Sequence, residues 1–130
     1  MLGFEPVPAL NHDVPVQWLA AGDTQLHLFQ RDDVTPSTHH VALTVGDLEP
    51  VYRRAAELDI FESNTLGYHF HLLPGDIAQL YIRDPTGNLI EIDAPGASAL
   101  PDDMRAEMRA LADLYPQSDE QLRARLFVGT

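Results

Sequence analysis

The sequence has no cysteine and no lysine, and no apolar run approaches the roughly 18 residues of a membrane-spanning helix. Without thiols there is no disulfide framework, no thiolate nucleophile and no cysteine-based zinc or iron–sulfur site, so any metal must be held by nitrogen and oxygen. The basic residues are eight arginines against 20 acidic residues, a formal charge of -12, and they form no run. A phosphate backbone is gripped by clustered positive charge, so neither nucleic acid nor membrane is an expected partner. No Gly-x-Ser-x-Gly elbow occurs, which removes the common nucleophilic hydrolases. The opening MLGFEPVPALNHD lacks a charged segment followed by an apolar one; a cytoplasmic location is the expectation.

What is present is a chain of 130 residues, 45% hydrophobic and 22% charged, a balance that suits a small folded protein rather than a disordered one. Alternation around Leu26 and Leu28, preceded by Gly22-Asp23, predicts a hairpin. Residues 31–37 read as a connector, and 39–45 alternate again as a strand. From Leu48 the period changes: Leu48, Val51, Ala55 and Leu58 share one helical face, with Asp47 placed to cap and Pro50 tolerable in the first turn. Strands follow at 68–73, 77–83 and 89–92, separated by Pro74-Gly75-Asp76 and by Asp84-Pro85-Thr86-Gly87-Asn88. Residues 39–92 thus spell β-α-β-β-β, and the fold class is α+β with an open, partly closed mixed sheet. Beyond Asp93, a linker leads to two short helices. Met104, Met108, Leu111 and Tyr115 lie on one stripe, and Ser118 with Gln121 forms a capping box before Leu122 and Leu126. The expected division is a partial N-terminal module at 1–37, a complete module at 38–93 and a helical extension at 94–130, an appendage to the sheet.

Residues two apart on a strand share a face. His40, Ala42 and Thr44 therefore point one way, and the aliphatic Val41, Leu43 and Val45 point the other, toward the helix. Glu91 stands within Leu-Ile-Glu-Ile, where a charge is rarely buried unless paired or bound to a metal. His27 repeats that signature between Leu26 and Leu28. His27, His40 and Glu91 make a set of two imidazoles and one carboxylate suited to Fe(II), Mn(II), Ni(II) or Zn(II). His69 and His71 also share a face and are assigned to lining a site. His39 falls on the helix side by parity, and His12, in a proline-rich loop, is expected to be structural or exposed.

The run His40-Val-Ala-Leu-Thr-Val-Gly-Asp-Leu, a following helix, and Gln79-Leu-Tyr-Ile-Arg-Asp-Pro-Thr-Gly-Asn-Leu-Ile-Glu-Ile resemble the vicinal oxygen chelate superfamily of glyoxalases, bleomycin-resistance proteins and extradiol dioxygenases. The resemblance spans about residues 14–93. It implies β-α-β-β-β modules that curl into halves of an open barrel, with a metal between them. His40 matches a ligand on a module's first strand, Glu91 one on its last strand, and His27 the last-strand position of the preceding module. A fourth position belongs to the opening strand of the first module, which, with its helix, is expected to be missing here. The implied chemistry is chelation of a small oxygenated substrate on a divalent metal, by a dioxygenase or a lyase or isomerase. Glu91 and Tyr81 are then catalytic candidates, and Gln79, Tyr81, His69 and His71 substrate contacts. The alternative is a binding protein without catalysis, as in the bleomycin-resistance branch. A missing helix would bare Leu26 and Leu28, leaving the C-terminal helices or a second chain to cover them, and a homodimer is expected.

Overall fold

The computed structural model describes residues 4–30, 39–85 and 87–128. The connector expected at 31–37 lies outside them. β1 (Glu5–Val7), β2 (Val16–Ala21) and β3 (Thr24–Phe29) form an antiparallel sheet in that order. The β2–β3 register closes at Ala21↔Thr24, leaving Gly22 and Asp23 as the turn. Gly22 takes a φ of +60°, which two-residue hairpin turns demand and glycine adopts without steric cost. Trp18 and His27 sit opposite each other on the inner face of this hairpin, and Leu26 and Leu28, of the other parity, are both exposed.

The second sheet contains β4 (His40–Thr44), β5 (Phe70–Leu73), β6 (Ile77–Arg83), β7 (Leu89–Pro95) and β8 (Arg109–Ala110), in the spatial order β4-β7-β6-β5-β8. β4 runs parallel to β7, as the intervening helix requires, while β5, β6 and β7 are linked antiparallel by short turns. α1 (Glu49–Glu57) starts where the Asp47 carboxylate accepts the Glu49 amide at 3.1 Å. Leu48 and Tyr52 then pack on Phe70, Ala78, Leu80, Ile92 and Ala94. Among the described residues no helix is long and apolar enough to cross a membrane.

The helix covers the centre of the sheet and not its edge. Of the aliphatic row on β4, Val45 reaches the core, but Val41 is 64% exposed and Leu43 is exposed as well. The expectation that all three pack on the helix is therefore corrected: β4 is an edge strand, and its outward face overhangs α1. The C-terminal segment also departs from the helical stripe. α2 (Asp102–Glu107) ends before Met108, whose ψ of 144° is extended, and residues 109–110 become β8 beside β5. α3 (Leu111–Leu114) and a 3-10 turn (Gln121–Arg123) follow, the latter closed by the expected reciprocal Ser118–Gln121 bonds.

This segment is no appendage. Leu111 and Ala124 enter a second core with Leu10, Trp18, Leu73 and Ile77, which joins the two sheets. Truncating Phe70 to alanine in the main core is expected to cost about 3–5 kcal/mol in urea denaturation, whereas Leu58→Ser, at an exposed position just past the end of α1, stays within about 0.5 kcal/mol. A loss at Leu58 as large as that at Phe70 would contradict this division of core and surface.

Candidate ligand site

Strand register assembles the site. On one face of the second sheet, His71, Gln79, Asp93 and Thr44 stand directly across successive strands, and one row away stand Tyr81, Glu91 and Ala42. The opposite face of the same strands holds the core under α1. Parity alone therefore places a polar layer on the side that the β1–β3 sheet approaches.

Glu91 is 1% exposed. Its Oε2 accepts the Tyr81 hydroxyl at 2.6 Å and lies 3.2 Å from His40 Nε2. Burial opposes ionisation of Glu91, but hydrogen bonding and charge from His40, with Asp93 and Tyr81 beside it, outweigh burial and hold its carboxyl below the usual carboxylate range. The same surroundings push the buried Tyr81 phenol well up: loss of solvent and the neighbouring Glu91 charge both disfavour a phenolate, so Tyr81 remains a donor. Asp93 goes the opposite way. Burial, and then the Glu91 charge, raise its carboxyl above its ordinary value. Two adjacent buried carboxylates cannot both ionise cheaply, and one proton on Asp93 shared with Glu91 resolves the conflict.

The histidines divide by environment. His40 lines the cavity mouth above Glu91. His27 stacks on Trp18, ring centroids 4.1 Å apart, and its Nε2 lies 3.0 Å from Gln25 Oε1. His71 is fully buried on the polar face, 5.8 Å from the Tyr81 ring, and His12 is buried with its ring edge-on to Phe29. Burial lowers both of the latter to about 4, so they are neutral at pH 7. His69 leaves the group: it stacks on Phe61, and its Nδ1 lies 2.9 Å from Ser63 Oγ. His12, expected to be structural or exposed, is buried, and it feels the charges of Glu91, His71, His27 and His40.

A cavity of about 480 Å³ opens over this layer. Thr44, Asp93, Ala42, His39 and His40 form one wall, and Gln25, Leu26, His27 and Phe29 of β3 another. Leu126 and Phe127 close part of the rim, and Leu66 reaches in from the 58–69 loop. That loop is fixed by an Arg83–Glu62 ion pair, with Glu62 also accepting the amides of Asn64 and Thr65. His39, expected on the helix side, faces the cavity.

Of the expected site residues, His40, Glu91, Tyr81, Gln79 and His71 share one face, with Glu91, Tyr81, Gln79 and His71 buried beneath the cavity rather than lining it. His27 borders the cavity but points its ring at Trp18. Among the described residues no three His, Asp or Glu side chains are placed to hold one metal ion. His40 and Glu91 converge, yet Glu91 Oε1 finds no hydrogen-bond partner among the described residues, and the third expected ligand is engaged elsewhere. As placed, the set does not fit a closed metal centre.

Asp93, Thr44 and Gln25 were not singled out by the sequence. Asp93 carries a signal, since it follows Glu91 by two residues, but the strand expected from the pattern stops at Ile92 whereas β7 runs to Pro95. Leu126 and Phe127 carried none, because a contact across some hundred residues leaves no local pattern.

A small chain with a parallel β4–β7 pair bridged by a helix, and a cavity above a His–Glu pair, is an α+β fold with an open mixed sheet. The family model described as Glyoxalase/Bleomycin resistance protein/Dioxygenase superfamily matches residues 1–92, and the chain belongs to that superfamily. Comparison with curated proteins finds no match. Among solved structures, lactoylglutathione lyase from Agrobacterium tumefaciens is 23% identical, covering 75% of this chain and 80% of that one, with a TM-score of 0.37. A putative glyoxalase family protein from Bacillus anthracis is 19% identical over 72% and 75%, with a TM-score of 0.33. The bleomycin resistance determinant encoded on transposon Tn5 is 22% identical over 72% and 80%, with a TM-score of 0.37.

The carboxyl pair sets a pH dependence. A group whose folded pKa is raised contributes stability that is present in acid and lost as pH rises through the folded value. Asp93 is such a group, so its contribution falls progressively from the ordinary carboxylate range up to about 9; the native protein is expected to lose stability as pH rises through neutrality, and Asp93→Asn, an uncharged isostere, to flatten that loss. Urea midpoints of both proteins across neutral and alkaline pH measure it; parallel curves would contradict a proton held by Asp93.

Proposed function

We propose that this protein binds a neutral or cationic amphipathic small molecule in the cavity above the His40–Glu91 pair, as a non-catalytic binding member of its superfamily. The observation that carries this reading is the composition of the cavity wall. One side offers polar atoms from Thr44, Asp93 and His40, the other offers Leu26, Phe29, Leu126 and Phe127, and no described lining residue is an arginine. The chain has no lysine and carries a charge of -12. An anionic ligand would enter such a site against the field, and the His40 charge is already paired with Glu91. The volume lies within the range of about 300–1,000 Å³ common to small-molecule sites. In this reading Glu91 and Tyr81 act beneath the wall: Tyr81 donates to Glu91, and Glu91 orients the His40 ring that the ligand meets. Gln79 stands beside Asp93 on the adjoining strand β6, with His71 beyond it on β5.

A second reading rests on the 3.2 Å approach of His40 to Glu91 and on the unpartnered Glu91 Oε1. Here the pair supplies two ligands to a divalent metal, Fe(II), Mn(II), Ni(II) or Zn(II), with His27 as the third once it leaves Trp18 and Gln25. A bound divalent ion would supply Lewis acidity toward a chelating substrate.

Calorimetric titration with metal-free bleomycin, which is cationic, and with S-lactoylglutathione, which is anionic, separates the two readings. The binding reading expects bleomycin to be preferred by at least about tenfold, with His40→Ala weakening it. Preference for the anionic thioester contradicts it. Elemental analysis after reconstitution with each metal completes the comparison. Near-stoichiometric metal in the native protein, lost in both His40→Ala and Glu91→Ala, favours the metal reading instead.

The outward leucines also find their role here. Leu26 borders the cavity, while Leu28 on β3 and Val41 and Leu43 on β4 are exposed on strands that end their sheets. We assign this apolar surface to a homodimer contact, which sedimentation at micromolar concentration is expected to detect. A strictly monomeric mass contradicts the assignment.

A further inference from the structure

The superfamily match stops at residue 92, yet two side chains of the cavity rim, Leu126 and Phe127, come from far beyond it. The chain between is fastened at three points. Asn11 and Gln117 clasp each other: the Asn11 amide donates to Gln117 Oε1 at 2.8 Å, Gln117 Nε2 donates back to the Asn11 carbonyl at 3.0 Å, and Asn11 Nδ2 donates to the Pro116 carbonyl at 2.8 Å. Ala124 is then plugged into the core beside Trp18 and Leu10. Immediately after it, Gln25 Nε2 from β3 donates to the Arg125 carbonyl at 3.0 Å.

These fastenings aim the next two residues. Residues 124–128 have no regular secondary structure, so their placement rests on the fastenings and not on a helix or strand. Leu126 packs against the second core, while Phe127, three residues beyond the buried Ala124, stays 42% exposed at the cavity rim. A half-exposed aromatic ring carries unfavourable apolar hydration that a flat apolar ligand can relieve. Leu26 and Phe29 of β3 stand on the same cavity, across from Thr44 and Asp93.

We propose that the C-terminal strap is the specificity element of this site: Leu126 and Phe127, with Leu26 and Phe29, form an apolar subsite that selects ligands bearing an aromatic group, held opposite the polar wall of His40, Thr44 and Asp93. The proposal rests on the cavity being the ligand site. It assigns two of the four apolar side chains, Leu126 and Phe127, to a segment outside the matched family region, so ligand choice here is set by the tail as well as by the sheet.

The test uses the neutral aromatic fluorophore N-phenyl-1-naphthylamine, whose emission rises in apolar surroundings, titrated into the full chain. The variants are the pair Leu126→Ser with Phe127→Ser, the conservative Phe127→Trp, and Ala42→Trp, which fills the cavity from the exposed opposite wall. Thermal melts establish that each is folded. The expected result is binding by the native chain, a loss of about tenfold or more in the serine pair, retention in Phe127→Trp and abolition in Ala42→Trp. Should Ala42→Trp abolish binding while the serine pair binds like the native chain, the strap assignment is overturned and the cavity reading stands. Should Ala42→Trp bind normally, the fluorophore lies elsewhere and both are overturned. No binding by the folded native chain overturns the aromatic subsite.

Discussion

The burial of Glu91 is the constraint on which the site depends. A carboxylate removed from water must be matched by donors or by positive charge, or it gives up its ionisation. Glu91 keeps it because three neighbours converge: the Tyr81 hydroxyl, the His40 imidazole and the Asp93 carboxyl, which takes the proton that Glu91 refuses. Each comes from a different place, Tyr81 from β6, His40 from the edge strand β4 and Asp93 from the same strand two residues on. Only the assembled sheet brings them together, so the site exists only in the folded chain.

The same sheet explains why the cavity sits where it does. Period-two alternation gives the strands one face for α1 and one for the polar layer, and the second core of Trp18, Ile77 and Ala124 ties the β1–β3 sheet alongside that layer. The gap left between β3 and β4 is the cavity. His12 and His71 are buried close to it and kept neutral, so they add no positive charge next to His40. Their ring nitrogens His12 Nδ1 and His71 Nδ1 and Nε2 find no hydrogen-bond partners among the described residues.

Much of this was legible in the sequence wherever the signal is local. The Gly22-Asp23 turn, the helix opening after Asp47, the strand from Ile77 to Arg83 and the charge isolated in Leu-Ile-Glu-Ile each follow from spacing of a few residues, and the structure places them as expected. The readings that failed depend on contacts that spacing does not encode. Val41 and Leu43 have the pattern of a covered face, but whether a helix reaches the edge strand is decided by packing angles. Met108 fits a helical stripe by period, yet pairing of residues 109–110 with β5 won over helix propensity. His27 and His40 look alike along the chain; only in three dimensions does one meet Glu91 while the other stacks on Trp18.

The central claim is that Glu91 and Asp93 share one proton, Glu91 ionised and Asp93 not, beneath the ligand cavity. The most direct measurement is a carboxyl carbon NMR titration of protein labelled at its aspartate and glutamate side chains, with Glu91→Gln and Asp93→Asn supplying the assignments. The account predicts that at neutral pH Asp93 shows the resonance of a protonated acid and titrates on the alkaline side, while Glu91 stays ionised well into acid. Ordinary titration of both groups near pH 4 would contradict it.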